Sequence, residues 1–229
     1  MTFVDALYAI SILIGIWVSI AGINNWRKVH TGKRKIELAE DSLALFYEAS
    51  DAINYLRHPF SYSSETEEIK RAENESEAAW EARKNASVVF YRYKQHQELF
   101  NKLYASRYRF MAQIGKEKAK PFEDLQKVIN DIVKSARHLS RLWARDHFRT
   151  EKQWEDHQQR VGEQEAIFWA DSVDNDPIIP RVTKVIEEME AICSDVINGE
   201  KSIADILNYP LLKKANKLIN RTENTSVNN

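Results

Sequence analysis

The sequence has few of the residues that build turns and covalent cross-links. Its 229 residues include one cysteine, 6 glycines and 5 prolines. One cysteine excludes an intramolecular disulfide, and the lone Cys193 fits a reducing compartment. The scarcity of glycine and proline excludes collagen-like and low-complexity chains and disfavours a turn-rich β-sandwich. A folded chain with long regular elements is therefore expected.

An excess of charge of either sign is also absent. The chain has 33 Lys and Arg against 34 Asp and Glu, and 43% of its residues are apolar. This balance excludes a disordered acidic chain and a strongly basic nucleic-acid-binding protein, so we expect no nucleic-acid partner. The length and apolar content are enough for a sizeable core.

The usual catalytic signatures are missing as well. The chain has no glycine-rich phosphate loop, no G-x-S-x-G, no H-E-x-x-H and no C-x-x-C motif. No histidine follows a glutamate by three positions, which excludes the Glu-x-x-His motif of di-iron helical bundles. We therefore expect no enzymatic activity, no cofactor and no metal site.

One group of possible metal ligands remains, and its members are His138, His147, Glu151 and His157. His147 and Glu151 are four residues apart and share a helix face, as two ligands on one helix must. Pairs at this spacing are equally common as surface contacts. A solvated polar helix face is the favoured interpretation.

One segment departs from this polar average. Residues 6–23 contain no charged side chain, and with Phe3 and Val4 the segment reaches the ~20 residues that cross a membrane. A secretory signal peptide is disfavoured because the preceding residues are acidic and no A-x-A cleavage site follows. We therefore predict a transmembrane anchor over residues 1–25.

A basic collar, residues 26–36, follows the predicted anchor. Its cationic side chains are Arg27, Lys28, Lys33, Arg34 and Lys35, and none precedes the anchor. The positive-inside rule then predicts a single-pass protein of the bacterial inner membrane, with the N-terminus outside and the bulk of the chain cytoplasmic. The collar is expected to contact lipid headgroups.

Small residues recur along the predicted anchor at spacings of four, four and three. They are Ser11, Gly15, Ser19 and Gly22, and they share one helix face. Such faces allow helix backbones to approach closely within a membrane. We therefore predict a helix–helix contact there, with a second copy or another protein as the partner.

Beyond the collar, apolar residues repeat with helical period, so the fold class expected is all-α. A first helix ends near Arg57 because Pro59 disfavours helical geometry before it. A second, capped at Ser64, is predicted to run unbroken from residue 65 to 114. Further helices are expected from Pro121, within 146–176 with a possible break at Gly162, and over 181–197.

These helices are expected to form a cytoplasmic antiparallel bundle over residues 37–220, with coiled-coil-like pairing and a disordered tail at 221–229. Two short helices are predicted at 202–208 and 211–220. The seam, meaning the row of core-facing positions of the long helix, contains His96 and Arg107 among apolar residues. We interpret them as a polar layer, with Arg107 paired to a carboxylate of a neighbouring helix. Cys193 is expected to be a small buried hydrophobe.

A membrane-anchored helical adaptor or scaffold is the function that these features favour. It would present a protein-interaction surface at the cytoplasmic face and would need no catalytic group. Two alternatives remain. One is a membrane-tethered sensor or effector, of the envelope-stress or phage-defence type, that acts by oligomerisation; the other is an enzyme with a pocket inside the bundle.

Overall fold

The computed structural model describes residues 3–170 and 174–199, with side chains from residue 11 onward, and that part of the chain is helical without any strand. The all-α prediction is confirmed. Six α-helices follow one another: α1 (Phe3–Leu56), α2 (Glu77–Gln95), α3 (Gln97–Gln113), α4 (Lys120–Leu142), α5 (Glu151–Phe168) and α6 (179–199). Short 3-10 turns lie at Ser63–Glu65 and Glu117–Ala119.

The predicted transmembrane anchor is wrong. Among the described residues, no helix is long and apolar enough to cross a membrane. The side chains of residues 6–10 of the predicted span lie outside the described residues. The single-pass topology and the inner-membrane localisation depend on this span and are corrected with it, while the lipid contact of the collar stays a prediction.

The boundaries of α1 follow the sequence closely. The helix passes through Gly32 without a break and ends at Leu56, as Pro59 predicts. The N–H of Arg57 still bonds to the carbonyl of Ile53, at 3.2 Å.

The unbroken helix predicted from residue 65 to 114 is also wrong. Helix α2 begins only after Ser76, whose hydroxyl accepts a hydrogen bond from the N–H of Ala79 at 3.2 Å. The preceding segment is held in a folded-back loop because Glu65 is buried against Arg92 of α2. A second interruption falls at His96, between α2 and α3. Neither interruption coincides with a glycine or a proline, so the sequence did not reveal them. The start of α2 depends on the Ser76 cap, and the break at His96 depends on local backbone geometry.

The later helices agree better with the sequence. Helix α4 carries Pro121 in its first turn, and α5 continues through Gly162 without the possible break. Helix α6 is slightly longer at both ends than predicted. The short helices predicted at 202–208 and 211–220 and the tail at 221–229 lie outside the described residues.

The chain forms two compact units, Met1–Glu40 with Cys193–Asn229, and Asp41–Ile192. In the second unit α2 packs on α4 and α4 on α5, and the Phe46 ring meets the Phe122 ring edge-on at 4.8 Å. The apolar positions of the helical repeats that are buried there are Phe46, Ile53, Ala82, Ala86, Val89, Phe100, Leu103, Phe110, Leu125, Ile129, Ile132, Ala136, Leu139, Val182, Val185 and Met189.

Within the first unit, Leu38, Ala39 and Cys193 are buried. The thiol of Cys193 donates to the carbonyl of Ala39 at 3.3 Å, and burial raises the pKa of Cys193 to about 11. The interpretation of Cys193 as a small buried hydrophobe is confirmed by its complete burial. The predicted domain boundaries stay predictions.

Candidate interaction site

The N-terminal part of α1 exposes an apolar stretch, which we define as residues 11–29. Its large hydrophobic side chains are each more than half exposed: Ile12, Leu13, Ile14, Ile16, Trp17, Val18, Ile20, Ile23, Trp26 and Val29. Monomeric proteins rarely expose contiguous apolar patches larger than a few hundred Å². The stretch is therefore the strongest candidate for an interaction site among the described residues.

The apolar side chains of the stretch point in all directions around the helix. At 100° per residue, Ile12, Leu13 and Ile14 alone span more than half of the helix circumference, and Val18 and Trp26 complete it. The stretch is thus not an amphipathic surface helix with one polar face. A helix that is apolar on every side is normally covered on every side.

The small residues predicted to form a contact face lie in this stretch and are exposed. They are Ser11, Gly15, Ser19 and Gly22. The hydroxyl of Ser19 donates to the carbonyl of Gly15 at 2.8 Å, one turn earlier. A Cβ atom at Gly15 or at Gly22 would meet nothing within 4 Å, so the helix backbone is open to a neighbour at both glycines.

The predicted basic collar, residues 26–36, lies within α1 and overlaps the end of the apolar stretch. Arg27, Lys28, Lys33 and Arg34 are exposed and Lys35 is half-buried. Lys33 approaches Glu37 at 3.7 Å, an exposed pair one turn apart. The collar gives the apolar stretch a charged end of one sign.

A very different environment surrounds Arg92 in α2, whose side chain is 1% exposed. Its guanidinium bonds to both carboxylate oxygens of Glu65, at 2.7 and 3.0 Å, and to the carbonyls of His58 and Phe60 at 2.7 and 2.6 Å. A longer bond reaches the carbonyl of Tyr55 in the last turn of α1. Arg92 therefore satisfies carbonyls that the helix end leaves open.

Arg57 does the same for α5, and it is equally buried. It donates to the carbonyls of Ala166, Ile167 and Trp169 at 2.8 to 2.9 Å and to both carboxylate oxygens of Asp176 at 2.8 and 3.0 Å. Asp176 also accepts from the N–H groups of Ile178 and Ile179, and so caps the start of α6.

Sequence reasoning missed both buried arginines. Arg57 enters the sequence analysis only as the end of a helix, and Arg92 does not enter it. A signal was present, since Arg92 follows Val89 by three residues and thus continues an apolar helix face. The carbonyls that it satisfies come from a loop whose course the sequence did not reveal.

The structure does not bring together the possible metal ligands, which are His138, His147, Glu151 and His157. The His138 ring lies 3.2 Å from the Gln164 side-chain oxygen, while His147 and Glu151 are exposed. His157 is buried beside the Phe148 ring, and burial, with Arg145 and Arg160 nearby, lowers its pKa. In the described part of the chain no three His, Cys, Asp or Glu residues are placed to hold a metal.

The polar layer predicted in the seam is present at Arg107. Its guanidinium donates to Glu123 of α4, which confirms the predicted pairing with a neighbouring helix. His96 instead packs edge-on against the Tyr55 ring at 5.4 Å.

Comparison with known proteins gives no match: no family model fits the chain, and neither a curated protein nor a solved structure is significantly similar to it. The arguments for function therefore depend on the chain's own residues.

Proposed function

We propose that this protein is a helical scaffold whose copies assemble through the apolar stretch of α1. The observation that carries the proposal is the exposure of ten large hydrophobic side chains on all sides of one helix. Ten such side chains on one helix form a larger contiguous apolar surface than monomeric proteins usually expose, as an interface between chains requires.

A second copy of this chain is the partner that the stretch fits best. Between Ser11 and Asn25 it offers no charged side chain with which a charged partner could be selected. Identical apolar helices are complementary to one another in composition, and the open glycines Gly15 and Gly22 allow close approach of two backbones. Since a single neighbour covers only one side of a helix, the proposal is an assembly of three or more copies.

An assembling scaffold also suits the interior of the unit formed by Asp41–Ile192. Two buried arginines fix the ends of α1 and α5, so each copy would carry a rigid helical body. An assembly of copies would then present the same surface several times, once for each copy. The proposal requires no catalytic group.

The mass of the full chain in solution tests the proposal directly. Light scattering after gel filtration, repeated over a range of protein concentrations, should give at least three times the mass of one chain. Trp17→Glu should lower this mass toward that of a monomer, because Trp17 is 71% exposed within the stretch.

Trp154→Glu is the matched control, since Trp154 of α5 is also half exposed but lies outside the stretch. Its mass should equal that of the wild-type protein. A monomeric wild-type protein at all concentrations, or an equal loss of mass in both variants, would overturn the proposal.

A further inference from the structure

A small cavity of about 150 Å³ lies between α3 and α4. Leu103, Tyr104 and Arg107 line it from α3, and Phe122, Glu123 and Lys127 are among the lining residues of α4. A cavity of this volume holds a molecule about the size of benzene. It is too small for a nucleotide or a typical drug-sized ligand.

Arg107 contributes an unusual group to this cavity. Its side chain is 24% exposed and donates through one terminal nitrogen to Glu123. Its Nε atom is buried and has no acceptor among the described residues. Buried donors without a partner are rare, because desolvating them without compensation is costly.

The charges around the cavity leave room for one more anion. Two cations, Arg107 and Lys127, line it together with one carboxylate, Glu123. Lys127 bonds to Asp124 at 2.7 Å, but Asp124 does not line the cavity, and an ammonium has two further donors. Arginine is well suited to carboxylates because Nε and a terminal nitrogen donate side by side.

The rest of the lining is apolar or already bonded. Leu103 and Phe122 are each 3% exposed and offer hydrocarbon surface. The Tyr104 hydroxyl lies 2.8 Å from that of Tyr108, and the Gln126 amide bonds to Asn130 at 3.1 Å. The cavity thus combines one cationic corner with an apolar floor.

We propose that this cavity is a binding site for a small monocarboxylate with a short hydrocarbon body. One carboxylate oxygen accepts the hydrogen bond from Nε of Arg107, and the hydrocarbon body packs against Leu103 and Phe122. The volume sets the size at about three to five carbon atoms. A phosphate ion fits less well, because it brings between one and two negative charges beside Glu123 and has no hydrocarbon to cover the floor.

Butyrate is the probe for a first test. Isothermal titration of the full chain with butyrate at neutral pH should give saturable binding, and NMR shifts should concentrate at Leu103, Tyr104 and Phe122. Butan-1-ol, a neutral molecule of similar size, should bind at least tenfold more weakly. Equal binding of the two would mean that the carboxylate is not recognised, and no saturable binding of butyrate would mean that the cavity takes up no such ligand; either result would overturn the proposal.

Substitutions at the cationic corner make the test specific. Arg107→Lys keeps the charge but removes the side-by-side donors, and should raise the dissociation constant for butyrate at least tenfold. Glu123→Gln removes the competing carboxylate and should leave the affinity unchanged or increase it. Arg137→Lys is the matched control, because Arg137 is exposed on α4 outside the cavity, and it should bind as the wild-type protein does. An unchanged affinity in Arg107→Lys would contradict the proposal.

Discussion

The unit formed by Asp41–Ile192 and the apolar stretch of α1 place their side chains in opposite ways. In the unit, even arginines are buried, and Arg57 and Arg92 each have a carboxylate and several carbonyls as partners. In the stretch, tryptophan and isoleucine side chains are more than half exposed. The first region pairs these two buried arginines within one chain, and the second leaves its apolar surface uncovered.

This difference separates two roles that helices have in one chain. Helices α2, α4 and α5 are stabilised by burial against one another, so substitutions there should act on folding. The stretch has little apolar contact to lose within one chain, so substitutions there should act on association. The predictions below test this division, from the largest expected effect to the smallest.

Arg92→Met should cause the largest loss of stability. It leaves the buried Glu65 carboxylate without its counter-charge and removes the donor that reaches the carbonyls of His58 and Phe60. Removing one partner of a buried pair typically costs about 3–5 kcal/mol. Urea unfolding should show this as a lower midpoint with an unchanged slope.

Arg83→Met is the control for Arg92→Met. Arg83 also bonds a carboxylate, that of Glu75 at 2.6 Å, but its side chain is 42% exposed. Exposed pairs are screened by solvent and contribute far less than buried pairs, so the loss should be much smaller than in Arg92→Met. Similar losses in the two variants would show that burial is not what distinguishes the arginines.

Asp176 allows the ion pair and the helix cap to be separated. Asp176→Asn keeps a side-chain oxygen that can cap α6 but removes the charge facing Arg57, and should cost about 2–3 kcal/mol. Asp176→Ala removes both and should cost about 1 kcal/mol more. Equal losses in the two variants, measured by urea unfolding, would assign the whole effect to the ion pair.

Acid should weaken the same contacts. The hydrogen bond from Arg92 lowers the pKa of Glu65. Burial alone would raise the pKa of Asp176, but the hydrogen bonds from Arg57 and from the N–H groups of Ile178 and Ile179 lower it. A carboxyl whose pKa is lower in the folded state stabilises the fold above its unfolded-state pKa, about 4, and loses that contribution as the pH falls through the folded-state value.

Acid titrations of the unfolding free energy should therefore decline from about pH 5 downward. In a variant carrying both Glu65→Gln and Asp176→Asn the decline should be shallower, because two of the titrating groups are gone. Glu75, whose pKa Arg83 lowers to about 2, remains in both proteins and contributes to the residual slope. A steeper decline in the variant would contradict this account.

The sequence predicted well where local rules decide and poorly where distant partners do. Apolar periodicity identified most of the core, from Ala82 to Leu139, and Pro59 located the end of α1. The loop before α2 was missed because the buried Glu65–Arg92 pair joins residues 27 positions apart. The role of Arg57 depends on Asp176, which is farther still along the chain.

The apolar stretch illustrates a different limit. The composition of the sequence identified this segment as an uncharged apolar helix. Composition does not distinguish a helix that is covered by lipid from one that is covered by other protein chains. The membrane interpretation is contradicted because, among the described residues, no helix is long and apolar enough to cross a membrane. The cavity beside Arg107 had no sequence signal beyond the pairing with a neighbouring helix.

The smallest expected effect comes from two open glycines within helices, Gly15 in the apolar stretch and Gly162 in α5. A Cβ atom at either would meet nothing within 4 Å, so replacement by alanine is free of steric cost within one chain. Alanine also restricts the unfolded chain, so Gly162→Ala should raise the unfolding free energy by about 0.5–1 kcal/mol. Urea unfolding of the wild type and the variant at one protein concentration measures the gain.

Gly15→Ala should restrict the unfolded chain in the same way as Gly162→Ala. Its added methyl group, however, occupies the space through which two backbones would approach. If copies associate at Gly15, the added methyl group opposes that contact, and the larger side chain of Gly15→Ile opposes it more strongly. Chemical crosslinking between copies should therefore fall from wild type to Gly15→Ala to Gly15→Ile, and should not change in Gly162→Ala. Crosslinking that is equal in all four proteins would mean that the small-residue face is not the contact, even if Trp17→Glu has shown that the stretch as a whole mediates assembly.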